Sequence, residues 1–347
     1  LEDNVLIINK TKPFYINKNK KYIRMGNFAK TGKEINYEDD NILSIFKYIQ
    51  APISKSNLVK KVSKETGINV NEVRNVIDYL IAENFIIDNK KYCKIICEER
   101  YCRQNLFFNM ISDKYIIYNN NFKNKNIVVL GLGGIGANVT LMLSRLGFDT
   151  FTLIDFDKVE YSNLVRQYPY TEKDIGKLKS EILEKRLKSK DKVFKKNIRI
   201  IQKQDVFDEI SHADFVVCTL DKPTRVIRRL INEICIEVSK PVIFAGFAEH
   251  MAMIGPFIVP NKTACLLCNE KVNEEEPLNN VDIVPSYGPI CAMISSIVTN
   301  EIVNYFSNYN TNNLIGKTLM IDILSYDMKV IKWEKNNKCK VCGNNGG

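Results

Sequence analysis

Six residues at positions 131–136 carry the strongest chemical signal in this sequence. They read Gly-Leu-Gly-Gly-Ile-Gly and lie between the apolar run Ile127–Leu130 and the helical pattern Ala137–Leu146. Glycines let the backbone turn sharply and approach phosphate groups, and the N-terminus of the next helix supplies N–H groups and a partial positive charge. The pattern predicts a phosphate-binding loop. Its glycines are Gly131, Gly133, Gly134 and Gly136.

An acidic residue follows this loop at a spacing typical of nucleotide-binding folds. Asp155 ends the apolar run Thr150–Ile154, roughly twenty residues after the loop, where an acid commonly holds ribose hydroxyls. On these two features alone, a nicotinamide or flavin enzyme is the leading interpretation.

The segment after Asp155 favours a triphosphate. Residues 155–167 read Asp-Phe-Asp-Lys-Val-Glu-Tyr-Ser-Asn-Leu-Val-Arg-Gln, and Lys179 follows in Gly-Lys-Leu-Lys at residues 176–179. A dehydrogenase has no need of Arg166 and Lys179 here. A triphosphate needs such cations, because its charge must be held while pyrophosphate leaves. The alternative interpretation of the two cations is a solvated basic helix start.

Two cysteine pairs share one spacing, Cys265-Leu-Leu-Cys268 and Cys339-Lys-Val-Cys342. Four thiolates complete a tetrahedral zinc site and leave no position for water, so the predicted zinc is structural. One such pair alone could equally be a redox motif, whereas two pairs are a specific signal. The other six cysteines are predicted to be apolar core residues.

The elements that position these residues alternate from about residue 125 onward. Strands are predicted at residues 127–130, 150–154, 198–202, 215–218 and 241–245, with helices at residues 137–146, 180–187 and 224–237. Alternating strands and helices predict a Rossmann-like α/β domain with a mostly parallel sheet and right-handed crossovers. We expect this domain to span residues 98–347.

Residues 1–97 predict a separate, small α+β domain. Strands with a turn are expected within Pro13–Met25, and helices at Asn41–Tyr48, after Ser54 and at Val73–Glu83. A β-hairpin is expected from residues 85–87 and 92–96 around Asp88-Asn89-Lys90. Three helices and a hairpin predict a winged-helix-like fold.

Residues from about 100 to 342 resemble the ThiF/MoeB-type adenylating enzymes of the ubiquitin-activating superfamily. The resemblance rests on the glycine loop, the segment 155–167, the lysine after a glycine, the two cysteine pairs and Arg-Tyr-Cys-Arg-Gln at residues 100–104. It implies a cytoplasmic, homodimeric nucleotidyltransferase that forms an acyl adenylate from ATP with Mg²⁺ and contains structural zinc.

The same resemblance assigns roles to individual residues. The implied catalytic residues are Arg103, Arg166, Lys179 and Asp221. The implied nucleotide-binding residues besides the glycines are Asp155, Asp157, Asn163 and Gln167. Asp221 matches the acid that binds magnesium, although an aspartate after a strand is often only a helix N-cap. Arg103 matches an arginine that reaches the phosphates of the neighbouring subunit.

One branch of these enzymes, the microcin C peptide-adenylating enzymes, combines a small N-terminal winged-helix domain, an adenylation domain and zinc. Other members pass the adenylate to a cysteine in the loop after the first zinc pair, but here Asn269–Tyr287 contains no cysteine. The resemblance implies adenylation of the C-terminus of a short ribosomal precursor peptide, in microcin C-like antibiotic biosynthesis. The N-terminal domain would grip this peptide with strands around Phe14–Ile23.

Several alternatives stay open from the sequence. The chain could activate a ubiquitin-like sulfur carrier ending in Gly-Gly for the thiamine or molybdopterin pathways, or it could be a non-catalytic leader-peptide-binding module. The nucleotide could be ATP or CTP. The N-terminal domain could be a lid, or it could bind DNA through the lysines near Lys60, although a nucleic-acid partner is disfavoured.

Composition and charge add little to these alternatives. The net charge of +10 fits polyanionic partners only weakly, because the lysines and arginines are spread along the chain. No run of 18 apolar residues appears, so the sequence predicts no membrane span.

Overall fold

The computed structural model describes residues 4–27, 32–97, 100–111, 121–187, 192–220, 224–268, 285–311 and 313–343. The chain forms two compact units, Leu1–Tyr118 and Asn119–Gly347. The boundary predicted between residues 97 and 98 separates a peptide-recognition domain from an adenylation domain. This division by function stays a prediction. Among the described residues, no helix is both long and apolar enough to cross a membrane.

The first unit combines two small antiparallel sheets with a group of helices. Its described strands are β1 (Val5–Ile8), β2 (Phe14–Asn17), β3 (Tyr22–Met25), β4 (Lys33–Asn36), β5 (Ile53–Ser54) and β6 (Ile86–Asp88). Its described helices are α1 (Leu43–Tyr48), α2 (Lys55–Thr66), α3 (Val70–Ala82), α4 (Asn89–Cys97) and α5 (Cys102–Ile111). The strand orders are β5-β1-β6 and β2-β3-β4, so the α+β class of this unit is confirmed.

Local sequence signals explain where α2 and α3 begin and end. Ser54 caps α2 by accepting a hydrogen bond from the N–H of Asn57, and Asn69 caps α3 by accepting one from the N–H of Asn71. Gly67 ends α2 in the left-handed conformation at φ +74°. The apolar faces of both helices then pack into one core with β1 and β6.

The predicted hairpin at residues 85–96 is wrong in its second half. Its first strand exists as β6, but residues 89–97 form α4. The carboxylate of Asp88 accepts hydrogen bonds from the N–H groups of Lys90 and Lys91, at 2.7 and 3.2 Å. An aspartate in this position is a helix N-cap. The pattern Asp88-Asn89-Lys90, which is also typical of a turn, therefore begins a helix here.

The second unit is built on a single eight-stranded sheet. Its described strands are β7 (Asn126–Leu130), β8 (Thr150–Ile154), β9 (Lys192–Lys196), β10 (Phe215–Cys218), β11 (Val242–Ala248), β12 (Met251–Ile258), β13 (Lys317–Asp322) and β14 (Met328–Lys332). Its described helices are α6 (Gly136–Leu146), α7 (Lys179–Arg186), α8 (Phe207–Ser211), α9 (Thr224–Glu237) and α10 (Gly288–Ser307).

The sheet has the order β14-β13-β12-β11-β10-β7-β8-β9. The pairs from β9 to β11 are parallel, and those from β11 to β14 are antiparallel. The Rossmann-like, mostly parallel fold is therefore confirmed. Because parallel strands end at the same edge, the residues that follow β7, β8 and β10 come together there.

One predicted strand is wrong: the strand lies at Lys192–Lys196, and residues 198–202 form a loop. Lys192 and Lys195 are exposed on this edge strand, whereas Lys196 is half-buried with its Nζ 2.8 Å from a carboxylate oxygen of Glu209. Ile198 and Ile200 pack against the core from the loop, and Asp205 accepts hydrogen bonds from the N–H groups of Ile201 and Gln202. Ile198 and Ile200 are thus half-buried without a strand, and Ile201 is exposed.

Candidate nucleotide site

The glycine loop connects β7 to α6 at the carboxyl edge of the sheet. Gly131 leaves the strand at φ +90°, a conformation that glycine adopts without steric cost. Gly136 opens α6, and a Cβ atom at this position would overlap the carbonyl oxygen of Gly131. These two positions therefore require glycine for the turn itself. Within the described residues no side chain caps α6 at Ile135, so the N-terminus of the helix can receive an anion.

The loop is held in place by the first turns of α10. Ser295 donates a hydrogen bond from Oγ to the carbonyl oxygen of Ile135, at 3.2 Å. A Cβ atom at Gly134 would lie 2.8 Å from the Sγ atom of Cys291, so this thiol packs directly against the loop. Burial raises the pKa of Cys291 to about 11, and the group is a neutral packing residue at physiological pH.

Asp155 joins the loop to the end of β8. Its carboxylate is only 8% exposed and accepts hydrogen bonds from the N–H groups of Leu132, at 2.6 Å, and Asp157, at 2.8 Å. Burial raises the pKa of Asp155, while the positive charge of Lys179 acts in the opposite direction. Each carboxylate oxygen keeps a second lone pair, so Asp155 can order the loop and still accept a hydroxyl donor.

Lys179 is a buried cation at the start of α7. Its side chain is 6% exposed, and its Nζ lies 3.0 Å from a carboxylate oxygen of Asp157, whose side chain is 48% exposed. A buried ammonium group needs a partner because desolvation is costly. The half-exposed Asp157 supplies that partner and leaves Lys179 able to interact with an incoming phosphate.

The turn after β8 places three polar residues beside the loop. Asn163 is buried, and its Oδ1 accepts a hydrogen bond from the N–H of Glu160, at 3.2 Å. The guanidinium of Arg166 donates to the carbonyl oxygen of Ser162, at 2.7 Å, and its Cγ packs near Gly134. Gln167 lies beneath Gly133, with a buried Oε1 atom that has no hydrogen-bond donor within the described residues.

Two further predicted site residues are Arg103 and Asp221. Arg103 is on α5 of the first unit, where its side chain is exposed. Asp221 lies outside the described residues, so its predicted role in magnesium binding stays a prediction.

Two residues that the sequence analysis did not single out hold the loop. The hydroxyl of Tyr170 donates to the carbonyl oxygen of Leu132, at 3.0 Å, and burial raises its pKa. The hydroxyl of Thr219 donates to the carbonyl oxygen of Gly131, at 2.9 Å. Thr219 could have been found because it directly follows a predicted strand. Tyr170 gives no comparable sequence signal.

The four predicted zinc ligands form one cluster, with all Sγ atoms within 4.8 Å of one another. Cys265 lies 3.7 Å from Cys339, and Cys268 lies 3.2 Å from Cys342, measured between Sγ atoms. Tetrahedral zinc with bonds of about 2.3 Å separates its sulfur ligands by about 3.8 Å, so the donor set fits this metal. Asn232 on α9 accepts a hydrogen bond from the N–H of Leu266, at 2.9 Å, which fixes the first pair to the sheet domain.

Comparison with known proteins identifies the family. The model described as the ThiF family matches residues 101–341, more than half of the chain. This chain belongs to the ThiF family. Membership gives the enzyme class, adenylyltransferase. Because adenylyl transfer moves the AMP part of ATP, the enzyme class implies that the chain binds ATP.

Curated relatives share the ThiF-family part of the chain. The sulfur carrier protein ThiS adenylyltransferase of Escherichia coli is 28% identical over 227 residues, covering 62% of this chain and 85% of the relative. The molybdopterin-synthase adenylyltransferase of Escherichia coli is 25% identical over 229 residues, covering 64% and 88%. The adenylyltransferase and sulfurtransferase MOCS3 of Dictyostelium discoideum is 27% identical, but the match spans only 52% of its length.

Solved structures of E. coli MccB are similar to this chain over almost its whole length, including the N-terminal unit. The complex with ATP has a TM-score of 0.77 and 23% identity, and that with selenomethionine MccA has a TM-score of 0.80 and 24% identity. Each match covers 98% of this chain and 100% of the MccB chain. At this identity the similarity establishes the shared fold.

Proposed function

We propose that this chain adenylates the C-terminal carboxyl group of a short precursor peptide with ATP and Mg²⁺, in a microcin C-like biosynthesis. The observation that carries the proposal is a ThiF-family nucleotide site in a chain that also has the N-terminal unit of the MccB fold. MccB has been solved with ATP and with its peptide MccA. The site supplies cations for the triphosphate, and the N-terminal unit supplies a surface for the peptide.

The described side chains divide the work of the reaction. Lys179 and Arg166 neutralise the phosphates, Asp155 accepts ribose hydroxyls, and the buried amides of Asn163 and Gln167 orient the nucleotide. A carboxylate oxygen of the peptide attacks the α-phosphorus, and the bond between the α-phosphorus and the bridging oxygen breaks, so that pyrophosphate leaves with the electron pair. Catalysis then rests on alignment and charge stabilisation. Mg²⁺, held by Asp221, would neutralise the departing pyrophosphate.

A second subunit completes this site in our proposal. Arg103 is exposed on α5, and it would reach the phosphates bound to the partner in a homodimer. An arginine delivered from another subunit can stabilise transition-state charge strongly, as the arginine fingers of nucleotide hydrolases do.

The first unit contains a cleft with a volume of about 310 Å³ that supports peptide binding. Its lining combines apolar and acidic side chains. The apolar lining residues are Ile42, Ile45, Val62, Ile68, Val73 and Val76, and the acidic ones are Glu38, Asp39 and Glu72. None of these three acids forms an ion pair with a described residue. The cleft thus offers apolar contact and a negative field to a peptide segment that carries a positive charge.

Tyr37 gives the cleft a specific polar group. The side chain is 6% exposed and lines the cleft, and its hydroxyl has no hydrogen-bond partner within the described part of the chain. An unpaired buried hydroxyl is costly unless a ligand satisfies it. The cleft lies at the end of β4, the opposite edge of its sheet from β2. This position favours peptide recognition at β4 over recognition by the strands around Phe14–Ile23. The acidic side chains of the cleft disfavour binding of DNA, which is itself negatively charged.

We expect the double variant Glu38→Lys, Glu72→Lys to raise the KM for peptide about tenfold and to leave the KM for ATP unchanged. Exposed charge pairs contribute about 0.2–1 kcal/mol each, and reversing the charge of a residue doubles the effect of removing it. Tyr37→Phe should also raise the peptide KM without lowering the melting temperature, because the hydroxyl has no partner to lose. Steady-state pyrophosphate exchange measures both constants.

The control for charge reversal is Asp78→Lys, which lies on the same helix as Glu72 but outside the cleft lining. It should leave the peptide KM within twofold of the unmodified protein. An unchanged KM for peptide in the double variant would show that the cleft does not bind the peptide, even if the chain adenylates peptides.

Activation of a sulfur-carrier protein is the second candidate function. The curated relatives include the ThiS adenylyltransferase and the molybdopterin-synthase adenylyltransferase, and this observation favours it. The absence of cysteine from Asn269–Tyr287 argues against a thioester step in that loop.

Pyrophosphate exchange distinguishes the two functions. Each of ATP, CTP, GTP and UTP would be tested with a set of short peptides ending in asparagine and with a ubiquitin-like carrier ending in Gly-Gly. Our proposal expects exchange that depends on ATP and on a peptide. Exchange that depends on the carrier alone would establish the second candidate function instead.

A further inference from the structure

Arg228 is a half-buried cation on α9 whose charge the site described above does not use. Its Nη2 donates a hydrogen bond, at 3.1 Å, to the carbonyl oxygen of Ala245 in the middle of β11, one residue after the partner of the last residue of β10. A Cβ atom at Gly246 would lie 2.7 Å from this Nη2. Glycine at position 246 therefore leaves the space that the guanidinium occupies at the carboxyl edge of the sheet.

This guanidinium lacks the partners that a structural arginine normally has. Its buried Nε–H has no acceptor, and no carboxylate pairs with it within the described residues. A guanidinium has five N–H donors, and a buried donor without an acceptor costs free energy. Its polar contact in the described structure is one carbonyl oxygen, so most of its hydrogen-bonding capacity is left for a ligand.

Arg228 lies close to where the chemistry is proposed to occur. β10 separates β7 from β11, and Cys218 at the end of β10 pairs with Leu130 on one side and Phe244 on the other. Neighbouring strands are about 4.8 Å apart, so Phe244, the residue before Ala245, is about 10 Å from Leu130, which directly precedes the glycine loop. An anion held by Arg228 would therefore lie beside a triphosphate bound at that loop.

We propose that Arg228 binds the C-terminal carboxylate of the peptide and positions it for attack on the α-phosphorus, an inference that rests on the proposed function. A carboxylate approaching a triphosphate is repelled by like charge, and a cation between the two groups offsets this repulsion. The planar guanidinium also matches a carboxylate with two parallel hydrogen bonds, which would select a free C-terminus over a neutral one.

The test compares one peptide in two forms. The best peptide of the exchange set and its C-terminal carboxamide would be titrated against the full chain in the presence of a non-hydrolysable ATP analogue. A charge-assisted hydrogen bond corresponds to about a tenfold to hundredfold difference in affinity, so the unmodified protein should prefer the carboxylate by at least about tenfold. Arg228→Met should abolish this preference, and Arg228→Lys should retain part of it.

The control is Arg229→Met, the next residue on the helix, whose side chain is exposed; it should keep the preference. A preference retained in Arg228→Met would overturn the proposal. If Arg228→Met raises the KM for ATP as much as it raises the KM for peptide, the proposal is also overturned, because Arg228 would then hold phosphate. If the unmodified protein binds and adenylates no peptide, the proposed function fails and this inference fails with it. Peptide adenylation that is insensitive to Arg228 would overturn the inference alone.

Discussion

Lys179→Met is expected to lower the rate of adenylate formation by about 10²–10³-fold, the typical cost of removing one preorganised group that stabilises transition-state charge. The side chain is 6% exposed, and its ion-pair partner among the described residues, Asp157, is half-exposed. Methionine fills similar space, and water can solvate Asp157, so the fold should survive. The measurement is pyrophosphate exchange together with the melting temperature.

Lys185→Met is the matched control, because Lys185 lies on the same helix with an exposed side chain. It should keep full activity. If Lys179→Met retains more than about a tenth of the exchange rate while Lys185→Met is unaffected, Lys179 does not hold the phosphates.

The same variant tests whether the site is shared between subunits. Arg103→Ala should also be inactive if Arg103 serves the partner's nucleotide. When Arg103→Ala and Lys179→Met chains are mixed and allowed to exchange subunits, hybrid dimers contain one intact site. Recovery of up to about a quarter of the activity is expected. Hybrids that form but recover no activity would contradict the shared site.

Loss of zinc is expected to have the second large effect, on stability. Cys265→Ser should reduce bound zinc from one equivalent to near zero, because the described part of the chain offers no fifth ligand at the cluster to replace the thiolate. Metal binding in such sites contributes directly to folding free energy. A loss of about 5 kcal/mol corresponds to a fall of about 10–20 °C in melting temperature for a domain of this size. Metal analysis and thermal unfolding measure the two quantities.

Cys93→Ser is the control for this experiment, since Cys93 lies on α4 outside the cysteine cluster. It should leave zinc content and melting temperature nearly unchanged. Protein purified with less than about a tenth of an equivalent of zinc, and equally stable after chelation, would show that the four cysteines are not a metal site.

The sequence predicted the parts of the fold that depend on strong local patterns. β8 and β10 are buried apolar runs, and their bounds match the prediction. The cysteine pairs also came together as their spacing indicated. Each of these strands is specified by one short apolar run, and the two cysteine pairs, although far apart in sequence, are recognisable because their four thiolates match one tetrahedral site.

Sequence patterns were misleading where a residue's role depends on a contact that the pattern does not specify. Asp88 looks like a turn residue until its side chain is seen to cap α4. The lysine-rich sequence of β9 is typical of a loop, but these residues form the edge strand of the sheet. Arg228 and Tyr37 have no distinctive sequence context, and their proposed roles rest on polar atoms that have no partner among the described residues. Such atoms become visible only when the packing around them is known.

The most direct test of the account is the mass of the product formed from ATP, Mg²⁺, the full chain and a candidate peptide. The account expects the peptide to gain one AMP unit at its C-terminus, with one pyrophosphate released for each peptide consumed. No such gain should occur with Lys179→Met. A peptide of unchanged mass, with AMP attached instead to the C-terminal glycine of a carrier protein, would contradict the account.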